Sequence, residues 1–301
     1  MKRVLLTGAG GYIGRHMLHK LVARGYEVHA VSRSAPVATA DQIIWHSTDL
    51  LDAAATNKLV SQVAATHLMH LAWITEPGVY WESPRNDDWL SASFSLLESF
   101  AEYGGLRALL AGTCAEYDWS GGHCVEDKTP LRGKSLYAQS KLAFRDAAFA
   151  VAKSTDLSVA WARVFFSFGP HERPERLVPA VIRALLAGER ARCVDGSLER
   201  DFMYVVDVAD AMVAVLDSDF TGDINIASGQ PTTLADIVNR IAVRLDASDR
   251  VDFGDYPRPP DDPQRITGDN SRLSRIVGWS PEYDLDSAID ETIAWWQSPS
   301  N

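Results

Sequence analysis

Three glycines, spaced three residues apart, follow the first apolar run of the 301-residue chain and constrain its fold more than any other feature. Residues 3–7 (RVLLT) are typical of a buried strand, and the following TGAGGYIG places Gly8, Gly11 and Gly14 before an apolar pattern with helical spacing. Without side chains there, the backbone can turn tightly and a pyrophosphate can approach the amides at a helix N-terminus. We interpret the segment as a dinucleotide-binding strand–turn–helix unit; the alternative is a plain glycine-rich turn.

Short apolar runs alternate with helical patterns through the first half of the chain. The strand-like runs cover residues 26–32, 42–46, 66–72, 106–112 and 157–166. The helical patterns cover residues 52–63, 88–102 and 137–152. This alternation predicts an α/β fold with a doubly wound parallel sheet of the Rossmann type.

After residue 166 the alternation weakens, while proline and glycine become more frequent. We therefore predict two domains. The dinucleotide-binding domain is formed by residues 1–165 plus 205–226, and the smaller C-terminal substrate-binding region by residues 166–204 plus 227–301.

Composition limits the partners that the chain can have. Its formal net charge of −11 argues against non-specific binding to nucleic acid or to a membrane surface, because both are polyanionic. No apolar run reaches the roughly 18–20 residues that span a bilayer, and the apolar run at the start is too short for a signal peptide. Three cysteines without a CxxC pair suit a reducing cytoplasm, and the histidines show no metal-ligand spacing, so we expect no metal.

The stretch SLYAQSK carries a tyrosine and a lysine one helical turn apart, Tyr137 and Lys141. A free phenol has a pKa of about 10 and exchanges protons poorly at neutral pH. A nearby ammonium stabilises the phenolate and so lowers that pKa. The pair is therefore a candidate for acid–base catalysis; the alternative is two ordinary residues on an amphipathic helix.

Several stretches together resemble the extended short-chain dehydrogenase/reductase family, which includes nucleotide-sugar epimerases, dehydratases and reductases. Besides TGAGGYIG and YAQSK they are HLAW (70–73), RVFFSFGP (163–170), LVP (177–179), RDFMYVVDVADA (200–211), GDNSRL (268–273) and VGW (277–279). The resemblance covers nearly the whole chain. It implies an NAD(P)-dependent enzyme in which Lys141 also holds the nicotinamide ribose.

The resemblance adds a third catalytic residue, Thr113, whose hydroxyl binds the substrate oxygen. It precedes Tyr117 by four residues in AGTCAEYDW. The sugar 4,6-dehydratases carry Asp and Glu directly after this threonine, where this chain has Cys114 and Ala115. We therefore do not expect elimination of water. The epimerase-reductases that make GDP-fucose use a cysteine two residues before this tyrosine, where the chain has Ala115. They also use a histidine after the Gly-Pro dipeptide, which His171 matches.

The end of the second predicted strand bears on the choice of cofactor. NAD-binding sites usually place Asp or Glu there, whereas this chain has Ser32 and Arg33. An arginine can pair with a 2′-phosphate, so NADP(H) is favoured and NAD(H) stays open. By resemblance, the cofactor contacts come from Gly8, Gly11, Tyr12, Ile13, Gly14, Ser32, Arg33, Asp49, Leu50, Leu71, Ala72, Tyr137 and Lys141.

The substrate side carries two arginines, Arg200 and Arg258, that resemble those aimed at a nucleotide-sugar pyrophosphate. Phe166 stands where the family commonly has an asparagine that binds the phosphate region. Residues 73–89 bring three tryptophans and a tyrosine, which either shape a sugar pocket or pack in a lid or dimer. The predicted substrate contacts are Trp73, Thr113, Phe166, His171, Leu177, Val178, Arg200 and Arg258.

These observations predict a cytoplasmic, homodimeric NADPH-dependent reductase of a nucleoside-diphosphate 4-keto-6-deoxy sugar. In this hypothesis Tyr137 donates the proton to the reduced oxygen. The alternative is a redox-neutral, NAD-dependent nucleotide-sugar 4-epimerase. A non-catalytic dinucleotide sensor and a reductase of small carbonyl compounds are the other hypotheses.

Overall fold

A computed structural model of the protein describes residues 2–34, 42–258 and 262–298. The first half alternates strands and helices: β1 Arg3–Thr7, α1 Gly14–Ala23, β2 Glu27–Ser32, β3 Ile43–Ser47, α2 Ala53–Val63, β4 His67–His70, α3 Arg85–Glu102, β5 Arg107–Thr113, β6 His123–Cys124, α4 Leu136–Ser154 and β7 Ser158–Val164. The second half is less regular: β8 Phe166–Phe168, α5 Leu177–Leu186, β9 Ala191–Cys193, β10 Glu199–Tyr204, α6 Val205–Asp217, β11 Gly222–Ile226, β12 Pro231–Thr233, α7 Leu234–Arg244, β13 Val251–Phe253, β14 Arg265–Gly268 and α8 Leu285–Gln297.

Seven parallel strands form the main sheet, in the order β11-β7-β5-β4-β1-β2-β3. The strand order reverses between β1 and β4, which makes this position the topological switch point. Ligands of such sheets bind outside the carboxyl ends of the strands at that point. The predicted Rossmann-type α/β fold is therefore confirmed.

Two apolar layers cover the two faces of this sheet. Along β1, the side chains of Val4 and Leu6 pack with α1 and α6, whereas the intervening Leu5 packs with α2, α3 and α4. Such alternation follows from the two-residue period of a strand. Because both faces are covered, the strands are mostly apolar, and most of their polar side chains lie at or near the strand ends.

The C-terminal half adds a smaller sheet, β12-β10-β14-β6, in which β8 also pairs with β10, and a separate pair, β13-β9. Helices α5, α7 and α8 contribute to a third apolar core beside it. All strands of the main sheet fall within residues 1–165 and 205–226. Strand β6 also lies within residues 1–165, but it pairs with β14 of the smaller sheet. Within the described part of the chain, no helix is long and apolar enough to cross a membrane.

Candidate active site

The glycine loop joins β1 to α1 at the switch point of the sheet. Gly8 has φ of +69°, and the Gly11 amide donates to its carbonyl oxygen over 2.9 Å. A Cβ on Gly14 would lie 2.2 Å from that same oxygen, so only glycine lets the helix start so close to the strand. The three glycines therefore form the tight turn that the sequence predicts.

The first turn of α1 suits an anion. The residue before the helix, Ile13, provides no side-chain cap, and no acidic residue lies in the first turn. The amides there are thus free of competing carboxylates and carry the positive end of the helix dipole. Behind the loop, the amides of Leu71 and Ala72 donate to the Thr7 hydroxyl over 3.2 and 3.3 Å. These features fit a dinucleotide pyrophosphate.

The predicted adenosine contacts lie at the ends of β2 and β3. Ser32 donates to the carbonyl of Ser34 over 2.7 Å, and Arg33 beside it is exposed. Asp49 is exposed and accepts from the amide of Leu51 over 3.1 Å, whereas Leu50 is buried. Leu50 can therefore support the loop but offers little contact surface of its own.

The structure brings Thr113, Tyr137 and Lys141 together at the carboxyl end of β5 and the start of α4. The Thr113 hydroxyl lies close enough to the Tyr137 phenol to lower its pKa. Lys141, only 2% exposed, donates from Nζ to the carbonyl oxygen of Ala111 on β5 over 2.9 Å. The α4 helix begins after Ser135, whose hydroxyl accepts from the amide of Ala138 over 3.2 Å.

The electrostatics of Tyr137 differ from the prediction. Burial raises the pKa of this phenol, the neighbouring Tyr80 raises it further, and the Thr113 hydroxyl opposes that rise. Burial also lowers the pKa of Lys141 to about 7, against the attraction of Glu116. The predicted lowering of the phenol's pKa by the lysine was therefore wrong for the side chains alone, because burial raises this pKa and Lys141 is not among the main groups that shift it.

A buried carboxylate, Glu116, fixes the base of this site. It accepts from the Thr113 amide over 2.8 Å, from Trp161 Nε1 over 3.0 Å and from Arg163 Nε over 2.6 Å. Burial raises the pKa of Glu116, while the Arg163 guanidinium opposes that rise. Glu116 was not predicted from the sequence, although a glutamate three residues after an apolar strand, with an arginine on a neighbouring strand, was a usable signal. Cys114 beside it is buried, and burial raises its thiol pKa, as expected of an unreactive residue.

The aromatic segment 73–89 divides into two parts. Tyr80 and Trp81 lie against Tyr137, with ring centroids 4.9 and 5.9 Å from it, and the Tyr137 amide donates to the Trp81 carbonyl over 3.0 Å. Trp73, predicted to bind substrate, is only 8% exposed and faces Lys141. The segment thus covers the catalytic residues, and α3 begins at Arg85 rather than at residue 88.

The two candidate phosphate-binding arginines lie close together but already have partners. Arg200 donates to Asp262 Oδ1 over 2.6 Å and to the carbonyls of Glu199 and Pro263 over 2.8 and 3.1 Å. Arg258 donates to the Asp262 carbonyl over 2.6 Å and to the Gln264 side chain over 3.0 Å. A diphosphate would therefore compete with Asp262 for the Arg200 guanidinium.

The remaining predicted substrate residues lie in different parts of the structure. Phe166 lies near Arg200, whose guanidinium is 5.6 Å from its ring centroid. Leu177 opens α5, and Val178 is buried in the third core. His171 contacts α1 and α8 through Arg15 and Trp295, and its contacts in the described chain do not include the catalytic residues.

Beside His171, Glu172 is the buried group of this segment. It is 7% exposed, and its Oε2 has no hydrogen-bond partner among the described residues. Burial raises its pKa to about 8, although Arg176, 3.7 Å away, opposes that rise. It also interacts electrostatically with Tyr12 of the glycine loop. Sequence reasoning chose the histidine because it matched a motif, but burial singles out the glutamate.

Glu172 makes a testable contribution to stability. The pKa of Glu172 in the folded state lies above its unfolded value of about 4.3, so the folded protein keeps this proton to higher pH. The free energy of unfolding therefore falls as the pH rises from about 4.3 to about 8. We expect Glu172→Gln to raise the melting temperature at about pH 9 and to change it little at about pH 5. Thermal unfolding followed by circular dichroism measures this. Glu175→Gln, at an exposed position nearby, is the control, and an equal effect of Glu172→Gln at both pH values would contradict the assignment.

Comparison with known proteins agrees with this geometry. A model of the NAD dependent epimerase/dehydratase family matches residues 4–227. UDP-glucuronic acid decarboxylase 1 of Xenopus tropicalis is 26% identical over 98% of this chain and 72% of its own length. The UDP-glucose 4-epimerase of Thermus thermophilus, solved with NAD, has a TM-score of 0.88 and 26% identity over 99% of each chain. An NAD-dependent NDP-hexosamine 5,6-dehydratase of tunicamycin biosynthesis has a TM-score of 0.86 and 27% identity over 99% of this chain and 98% of its own. The chain therefore belongs to the NAD-dependent epimerase/dehydratase family, whose members are extended short-chain dehydrogenases/reductases.

Proposed function

We propose that this protein moves hydride at the 4-position of a nucleoside-diphosphate sugar, with Tyr137 exchanging the proton of the sugar oxygen. The observation that carries the proposal is the meeting of Thr113, Tyr137 and Lys141 at the sheet edge that also holds the glycine loop. A bound nicotinamide would accept and return the hydride. The Thr113 hydroxyl would bind the same sugar oxygen, and the Lys141 ammonium would add positive charge to the site.

Redox-neutral 4-epimerisation with NAD is the form we favour. It needs only oxidation and reduction at one carbon, and therefore only the three residues above. It is supported by the similarity to a 4-epimerase that was solved with NAD. Cys114 and Ala115 provide no acid or base for elimination, which disfavours dehydration even though one relative is a dehydratase. From the sequence alone, NADPH-dependent reduction was the leading hypothesis and NAD-dependent epimerisation the alternative, so the preference is now reversed.

Net reduction with NADPH is the second candidate, and one observation favours it. The end of β2 carries Ser32 and the exposed Arg33 rather than a carboxylate, so a 2′-phosphate would meet a cation and no repelling charge. In this form the substrate is a 4-keto sugar, such as a 4-keto-6-deoxy sugar, and the cofactor is consumed.

Cofactor identity and turnover separate these forms. We expect the purified protein to carry NAD, and to interconvert UDP-glucose or UDP-glucuronic acid with the 4-epimer without a change in nicotinamide absorbance. Mass spectrometry of the released cofactor and NMR of the sugar anomeric protons measure both. Oxidation of NADPH by a nucleotide-linked 4-keto sugar would favour reduction instead. Release of CO₂ from UDP-glucuronic acid would mean decarboxylation, and no reaction in any assay would contradict the proposal.

Tyr137→Phe is the matched variant for this assay. It keeps the ring that packs on Tyr80 and Trp81 but removes the proton-exchanging hydroxyl. We expect turnover to fall about 100-fold or more while the cofactor is retained, because proton transfer by one side chain contributes about that much. Turnover that survives this change would exclude the phenol as the acid–base group.

A diphosphate should compete with Asp262 for Arg200. We expect Arg200→Ala to weaken binding of UDP about 10- to 100-fold, the loss of a charge-assisted contact. Asp262→Asn should leave the affinity unchanged or raise it, because it removes the internal competitor of the guanidinium. Isothermal titration calorimetry with UDP measures both, and Arg192→Ala, at an exposed arginine paired with Asp255, is the control. Weaker binding in Asp262→Asn would contradict the competition.

A further inference from the structure

The Lys141 ammonium is enclosed by two groups. Its Nζ donates to the Ala111 carbonyl over 2.9 Å, and it lies 3.8 Å from the centroid of the Trp73 ring. Both residues belong to the carboxyl edge of the main sheet, Ala111 in β5 and Trp73 just after β4. A cation over an indole face at this distance is attracted by the negative charge of the ring face, and most strongly when water is excluded.

Trp73 is held firmly in this orientation. Its Nε1 donates to Asn86 Oδ1 over 2.8 Å, and its ring stacks near Trp89 and Phe144 at centroid distances of 6.4 and 6.3 Å. Asn86 is fully buried and donates in turn to the carbonyls of Tyr80 and Ser83 over 2.7 and 2.8 Å. The indole therefore cannot swing away from the ammonium without breaking a buried polar network.

The charges around Lys141 leave a role for this ring. Burial favours the neutral amine and lowers the Lys141 pKa to about 7, while Glu116 from the turn after β5 opposes it. His70 at the end of β4 is uncharged near neutral pH, because burial and the lysine charge lower its pKa to about 3. Tyr137, on the same helix, stays neutral because burial raises its pKa. Glu116 and the Ala111 carbonyl favour the charged lysine, and the face of Trp73 adds to them.

We propose that Trp73 is a positioning residue of the active site, whose indole face holds the Lys141 ammonium in its charged form beside Tyr137. The inference rests on the proposed function, in which Lys141 supplies charge to the site. It gives Trp73 a role through Lys141 rather than the substrate contact predicted from the sequence.

The titration of Lys141 tests this without any turnover. Protein labelled with ¹³C at the lysine ε-carbon contains seven lysines, and Lys141→Arg identifies the signal of Lys141. We expect Trp73→Leu to lower the midpoint of that titration by about one pH unit, the value of a buried cation–π contact. Trp73→Phe, which keeps a weaker ring face, should lower it by less.

Trp89→Leu is the matched control, because Trp89 stacks on Trp73 in the same aromatic cluster but does not face the ammonium. Its midpoint should equal that of the wild type. An unchanged midpoint in both Trp73 variants, or an equal shift in Trp89→Leu, would overturn the proposal. If Trp73→Leu does not fold, Trp73→Phe decides alone. A failed epimerase assay would leave this titration unaffected, so the two proposals fail separately.

Discussion

Burial of ionisable groups at the carboxyl edge of the parallel sheet is the constraint on which the site depends. Because both faces of the sheet are covered by helices, Thr113, Lys141 and Glu116 can meet only where β5 ends. Each of these groups has a hydrogen-bond partner. The Thr113 amide and the Arg163 guanidinium both donate to the Glu116 carboxylate, and the Lys141 ammonium donates to the Ala111 carbonyl. Removing one of these side chains would leave a buried charge or polar group of another without its partner, so the cluster acts as a unit.

This burial sets the chemistry that the site can perform. Desolvation holds the Tyr137 phenol in its neutral form and lowers the pKa of Lys141 to about 7. Such a site becomes a good proton exchanger only when positive charge is added close to the phenol. A positively charged nicotinamide ring bound beside Tyr137 would provide such a charge and would then couple the acidity of the phenol to the oxidised form of the cofactor. With that charge in place, the phenolate form of Tyr137 would serve as a base near neutral pH.

Local sequence signals predicted the parts of this structure that depend on local geometry. The turn after β1 follows from the glycine spacing, and the Tyr137–Lys141 pair from the period of a helix. Long-range pairings could not be read in this way. Asn86 holds Trp73, and Asp262 occupies Arg200 across 62 residues. The sign of the Tyr137 pKa change also depends on burial and on the nearby Tyr80, which only the folded chain reveals.

The most direct test of this account is the ultraviolet difference spectrum of tyrosinate as a function of pH, with and without NAD⁺. The chain has nine tyrosines, so Tyr137→Phe serves to isolate one of them. The account predicts that NAD⁺ shifts the ionisation of one tyrosine to lower pH in the wild type and that the variant lacks this shift. Identical NAD⁺-dependent spectra in the two proteins would contradict it.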